Sequence, residues 1–317
     1  MPAKCKIMTD SCCDFTLQES QAEGVECLPF TYTEAGKPDG LNGVDDLFQS
    51  RTAHEFYEAI RNGACPMTSQ PSQLVFEEAF ERVQAEGVPT VYFSISSGIS
   101  GGAQGAQAAL DRVRENHGGK LDTPVYVVDL LMTSTTQNLF MHQAAIKRDE
   151  GLTAEEMVAW AKDAIFRTHT IFMVDNLDSL HRGGRIPKSV ALIGGLLDVK
   201  PLLTWRLDGT LTIVGVSRGR RKALRKMEEF YEKYHRDDEY GPVVAVGDAD
   251  CVPDGDSLAR TIKEKHHGVR VYRSTIGPTI GSHVGPGMVS CCFWGVDRRR
   301  GDNDAAGEDS VKGVSKS

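Results

Sequence analysis

The segment Thr90-Val91-Tyr92-Phe93-Ser94-Ile95-Ser96-Ser97-Gly98-Ile99-Ser100-Gly101-Gly102 decides how this chain folds. Its first six residues are β-branched, aromatic or small, the composition of a buried strand. A Ser/Gly loop follows, and Gly102–Asn116 then carries apolar residues at helical spacing. A strand that turns through Ser and Gly straight into a helix is one βα unit, and such a unit needs parallel partners. Matching strands are expected at Cys5–Thr9, Val25–Tyr32 and Pro124–Val128, with helices at Asp14–Glu23, Ala53–Asn62, Ser72–Glu86 and Thr133–Arg148. Parallel sheets are covered on both faces. Residues 1–150 are therefore expected to form an N-terminal three-layer α/β/α domain.

Beyond Glu150-Gly151 the pattern changes. Thr153-Ala154-Glu155-Glu156 matches a capping box and opens a helix. Thr170–Val174 reads as a strand, Pro187–Leu197 as an apolar helix, and Val199–Trp205 with Leu211–Val216 as a hairpin turned at Asp208-Gly209. The rest alternates helix (Gly219–Tyr234), strand (Val243–Gly247), helix (Pro253–Lys265) and strands at Val269–Ser274 and Met288–Trp294. A hairpin among crossover units implies a mixed sheet, so residues 151–296 are expected to form a second α/β domain. Asp297–Ser317 has few apolar residues and no periodicity, and reads as a disordered tail.

The length of 317 residues agrees with two domains, since one continuous core rarely grows past roughly 250 to 300 residues. Subtracting 44 acidic from 36 basic residues gives a net charge of -8, which disfavours nucleic acid as the main ligand. No stretch approaches the roughly 20 apolar residues of a membrane span, and Met1–Cys13 lacks a signal-peptide apolar core. A cytoplasmic protein is expected, with transient membrane contact left open. The eight cysteines are scattered without a C-x-x-C pair and are read as reduced thiols; no metal is expected. Arg218–Lys226, followed by Glu228, Glu229 and Glu232, reads as a solvated helix face.

Several loops place hydroxyl or small residues after strands, where parallel α/β sheets bind ligands. Thr9-Asp10-Ser11, Thr68-Ser69-Gln70-Pro71-Ser72, Ser96–Gly102 and Asp129–Thr133 are of this kind. In the third, Ser97, Ser100 and Gly101 run into a helix whose first N–H groups suit an anion. Ser100 could equally do no more than cap that helix. Arg185 stands behind Gly183-Gly184, and His283 is held in the Gly/Pro-framed loop Ile276–Gly287. P-loop, G-x-S-x-G and H-E-x-x-H motifs are absent.

In this order the motifs resemble the DegV family of bacterial fatty-acid-binding proteins. Lys6–Ser11 resembles the family's opening strand and T-D-S turn, and Thr68–Ser72 matches its T-S-Q-P-S motif. Ser96–Gly101 is similar to S-S-G-L-S-G, Leu180–Ile186 to K-G-G-R-I, Gly194–Thr204 to G-x-L-L-x-I-K-P-I-L-T, and Gly277–Gly287 to G-P-x-I-G-x-H-x-G-P-G. Cys12-Cys13 stand where the family usually has small hydroxyl residues or Ala, and Gly102-Ala103 where it often has Thr-Tyr.

The resemblance implies a long-chain fatty acid held between the two domains. Thr68 and Ser100 would bond its carboxylate, with Ser97, Gly101, Arg185 and His283 close by. Ile186, Leu192, Ile193, Leu196 and Leu197 would line the tail's tunnel. It also implies a lipid-binding carrier with no catalytic residues and no cofactor, which offers the carboxylate to a separate ATP-dependent fatty acid kinase for phospholipid synthesis. The alternative is an enzyme acting on a small carboxylate or phosphorylated metabolite, with His283 as acid or base and Arg185 as anion clamp.

Overall fold

The computed structural model describes residues 4–187, 198–237 and 239–300. Four parallel strands, β1 (Lys6–Asp10), β2 (Val25–Leu28), β6 (Thr90–Ser94) and β7 (Val125–Asp129), pair in the order β2-β1-β6-β7. Placing β1 centrally leaves its loop, and that of β6, facing the same edge. Met8 and Tyr92 on one face pack against Phe76, Phe80 and Leu110 of helices α3 (Gln73–Glu86) and α4 (Gly102–Asn116). Ile7, Val91 and Phe93 on the other face pack on Phe140 and Met157, from α5 (Thr135–Asp149) and α6 (Ala154–Ala164). Each strand thus shows alternate residues to two apolar layers.

The second sheet has six strands: β8 (Thr168–Met173), β9 (Val199–Trp205), β10 (Leu211–Arg218), β11 (Val243–Asp248), β12 (Arg270–Thr275) and β13 (Val289–Trp294). Their order is β10-β9-β8-β13-β11-β12, parallel only between β11 and β12. Helices α8 (Arg220–Tyr234) and α9 (Val252–Lys265) cover its outer face. Its inner face shares Ala245, Cys292 and Trp294 with the cluster that holds Ile7 and Phe93 of the first sheet. Helix α5 lies between the sheets and is buried almost all round from Thr135 to Ala145, its polar residues Gln137, Asn138 and His142 bonded to Thr9, Asp14 and Glu23.

Several elements depart from the sequence reading. The strand expected over Val25–Tyr32 divides in two, and its second part, β3 (Thr31–Thr33), joins β4 (Gly43–Val44) and β5 (Met67–Ser69) in a small antiparallel sheet. Thr68 is therefore a strand residue, paired with Tyr32. The Gly/Pro-framed loop contains a short helix, α10 (Pro278–Val284), which Pro278 can open because it has no N–H to leave unpaired. The expected helix over Pro187–Leu197, including Leu192, Ile193, Leu196 and Leu197, falls almost wholly on residues 188–197, outside the described residues.

The first residues of the expected tail are folded. Arg298 is buried and donates to the Trp205 carbonyl at 3.1 Å, so Asp297–Arg300 pack on the folded body. Residues 301–317 lie outside the described residues. On α8, Arg225 and Glu229 pair across one turn at 3.5 Å as a solvated face would, but Glu228 is buried. The eight cysteines are free thiols, and Cys12 and Cys13 are fully buried. Among the described residues no helix is long and apolar enough to cross a membrane.

Candidate functional site

Thr68 Oγ1 lies 2.8 Å from His283 Nε2, joining the small sheet to the closing helix α10. His283 is buried, and its Nδ1 has no hydrogen-bond partner among the described residues. Burial first, and the Arg185 guanidinium second, push the His283 pKa down to about 3, so the ring is neutral at ordinary pH. A neutral ring carries one N–H. An unpaired buried N–H is the rarer and costlier defect, which favours the proton on Nε2, donated to Thr68 Oγ1. The Thr68 hydroxyl proton is then free for a ligand.

Ser100 precedes α4. Its Oγ accepts the Gly102 N–H at 3.2 Å, while Gly101 occupies the N-cap position without a side-chain cap. Ser100 therefore keeps its hydroxyl proton beside a positive helix end. Arg185 folds back over the same opening: its Nε donates to Ile99 O at 3.1 Å and its Nη1 to Gly183 O. Half-burial holds its pKa below the usual arginine value. Gly183 lies against the imidazole so closely that a Cβ there would sit 2.3 Å from His283 Nδ1. That contact is why the residue before Gly184-Arg185 has no side chain.

Thr68, Ser100, Arg185 and His283 all line one cavity of about 630 Å³, its open mouth included. The cavity runs inward between the sheets past Ile95, Phe172, Leu211 and Trp205. Its inner wall follows from strand alternation: Thr170 and Phe172 of β8 face Cys292 and Ser290 of β13 as direct cross-strand pairs.

Several lining residues other than Thr68 and Ser100 carry hydroxyls, and these bond within the protein. Thr136 Oγ1 bonds Thr170 Oγ1 at 2.5 Å, and Ser290 Oγ donates to Thr135 Oγ1 at 2.8 Å. Ser134 donates to Asp14 at 2.5 Å and Thr279 to Asp45 at 2.5 Å. With the hydroxyls turned into the protein, the lumen surface is almost wholly apolar. Burial raises the pKa of Asp10 to about 6, Asp14 to about 8 and Asp45 to about 6. Asp14 also accepts the Gly277 N–H at 2.8 Å and so anchors the loop that carries His283.

Two expected site residues are placed elsewhere. Ser97 and Gly101 are absent from the cavity lining: the Ser97 N–H donates to Asp129 at 3.1 Å, and Gly101 packs on Gln70 at the surface. Ile186 is buried in the core beside Leu180 rather than on the lining. Sequence reading missed Asp14, Asp45, Thr170, Phe172 and Ser290. For the strand residues a signal existed in the period-2 alternation of β8 and β13, but nothing local assigns the inward face to a ligand. The buried acids gave no such signal.

A family model described as "Uncharacterised protein, DegV family" matches residues 4–295. A DegV domain-containing protein of Clostridium perfringens is 31% identical over 258 residues, covering 81% of this chain and 87% of that protein. Among solved structures, a DegV lipid binding protein from Thermotoga maritima superposes with a TM-score of 0.75 at 27% identity, covering 93% of this chain and 99% of its own. A Thermus thermophilus structure described as fatty acid binding of a DegV family protein gives 0.76 at 26% identity, covering 92% and 99%. With the family's pattern running through both sheets and every loop of the site, the chain belongs to the DegV family.

Proposed function

We propose that this protein binds a long-chain fatty acid, with the carboxylate at the mouth formed by Thr68, Ser100, Arg185 and His283 and the tail in the apolar cavity. The observation that carries this reading is the junction of two hydroxyls with uncommitted protons and a cavity of almost purely apolar surface. Hydroxyls at a helix N-terminus hold a carboxylate through charge-assisted bonds. The tail adds about 0.8 kcal/mol per buried methylene. The Thermus thermophilus relative, described as binding fatty acid, supports the same ligand class.

The protein acts as a carrier in this reading. A general acid or base works best with a pKa near the operating pH, and His283, pushed down to about 3, is far from it. The bound carboxylate is offered to a separate ATP-dependent fatty acid kinase, as the motif resemblance implies, and the carrier works in the cytoplasm.

Native mass spectrometry of freshly purified protein is the test. A bound acyl species is expected; protein that is always empty and fails to take up added fatty acid refutes the ligand. The kinase step is tested separately, by incubating the loaded protein with a bacterial fatty acid kinase and ATP. Acyl phosphate should form, and its absence with a kinase active on its own carrier refutes the partnership.

A further inference from the structure

We propose that Glu228, Glu232 and His266 form a binding site for a divalent cation of the zinc class, on the outer face of the second sheet. Glu228 and Glu232 stand one turn apart on the same side of α8, and His266 is the C-cap residue of α9. Their carboxylate oxygens and imidazole nitrogen all lie within 4.8 Å of one another.

Among the described residues, two of these donor atoms are buried without a hydrogen-bond partner. Glu228 is 1% exposed; its Oε2 accepts from Lys265 Nζ at 2.8 Å, but Oε1 has no hydrogen bond. His266 Nε2 is equally unsatisfied and lies 3.9 Å from Glu232 Oε1. Buried polar atoms are normally paired, so an oxygen and a nitrogen left open within 4.8 Å of one another call for a ligand. Their chemistry specifies it. Two lone-pair oxygens and one imidazole nitrogen accept a cation, and the nitrogen selects zinc-like ions over magnesium or calcium, which take oxygen ligands.

The surroundings fit such a site. Two carboxylates face one ammonium, Lys265 Nζ, at 2.8 Å from Glu228 Oε2 and 3.6 Å from Glu232 Oε1, which leaves one negative charge in excess and Glu228 Oε1 without a bond to it. The His266 ring is held in place by the ring of Tyr231, 4.9 Å away, and by that of His235, 5.1 Å away. His235 is itself fixed, its Nδ1 bonded to Tyr231 O at 2.9 Å. A tetrahedral zinc needs donors about 3.4 Å apart, from bond lengths of about 2.1 Å, so side-chain rotation of roughly an ångström closes the site. Water supplies the fourth position. The bound ion would tie α8 to the end of α9, two helices that cover the same sheet face.

The experiment is a Co²⁺ titration of the tag-free full chain, read by visible absorption and by zinc displacement. A single equivalent should give the d–d bands of a low-coordinate nitrogen and oxygen site, without the near-ultraviolet thiolate band that the exposed Cys65 would produce. His266→Ala should abolish the bands. Glu232→Gln, at a side chain 45% exposed and so harmless to folding, should weaken binding roughly tenfold or more. The absence of d–d bands, a thiolate band alone, or unchanged binding in both variants overturns the site.

Discussion

Thr68 and His283, 215 positions apart in the chain, share a 2.8 Å hydrogen bond between a three-residue edge strand and a seven-residue helix. Neither element could hold such a bond alone. Their mutual placement depends on Asp14 and Asp45, which bind Gly277 and Thr279 at the start of the helix that carries His283. The mouth of the cavity is thus built on buried acids that never reach the lumen.

Thr68→Val and Ser100→Ala should each weaken fatty-acid retention by roughly 1.5 to 3 kcal/mol, the cost of a lost hydrogen bond to a charged group. Thr68→Ser should keep most of the affinity, because it keeps the hydroxyl. Competition binding with a fluorescent fatty acid gives the comparison, and equal affinity in the double variant Thr68→Val/Ser100→Ala would place the carboxylate elsewhere.

Gly183→Ala should reduce retention without touching any polar contact. Its backbone φ of -72° suits alanine, so no conformational penalty arises. The new Cβ would instead stand 2.3 Å from His283 Nδ1 and force the ring away from Thr68. An unchanged dissociation rate for bound fatty acid would show that the ring position is irrelevant to the site.

Protonation of Asp14 should make stability fall as pH rises. Its folded pKa, about 8, lies above the unfolded carboxylate value of 3.8, so between these limits the folded state binds more protons than the unfolded state. That stability is present in full below about pH 4 and is lost as pH climbs through 8. The slope approaches about 1.4 kcal/mol per pH unit within the window. Asp14→Asn keeps an acceptor for Gly277 and turns its amide N–H toward Ser134, whose hydroxyl can accept as well as donate, but it cannot ionise. Urea unfolding from pH 5.5 to 8.5 should show a shallower decline for the variant; parallel curves would contradict the raised pKa.

Trp205→Leu should let the protein hold longer acyl chains. Trp205 lines the cavity proposed for the acyl tail and also a second hollow bounded by Leu202, Ile171 and Phe230, beneath α8. Shrinking it extends the lumen toward that hollow, at a stability cost below the roughly 3 to 5 kcal/mol typical of Trp→Ala. Mass spectrometry of the acyl species retained from a mixture of chain lengths reads the shift, and an unaltered distribution would show that the chain ends short of residue 205.

Much of the first sheet was legible in the residues themselves. Thr90–Ser94 is continuously apolar or small and runs through Ser and Gly into a helix, a local signal that needs no tertiary information. The capping box at Thr153 likewise forms as read, its hydroxyl accepting the Glu156 N–H at 3.2 Å. Thr31–Thr33 and Met67–Ser69 were harder, since three-residue strands carry too little periodicity to stand out from a loop.

The site divides in the same way. The hydroxyl, glycine and proline loops that carry Thr68, Ser100, Arg185 and His283 are weak local signals, which only the motif resemblance joined into one site; the four line one cavity. Ser97 and Gly101 share the same motif as Ser100 but face Asp129 and Gln70, because one turn of backbone separates neighbours that a motif treats alike. The sequence by itself determined the strand and helix order, the hydroxyl-bearing loops and the absence of a long apolar helix. Only the tertiary structure decided which hydroxyls keep a free proton, which are silenced by buried acids, and that Glu228 on an outwardly polar helix points inward. Those outcomes depend on partners more than 30 residues away in the chain, and burial and hydrogen-bond satisfaction are properties of the assembled core rather than of any local run of residues.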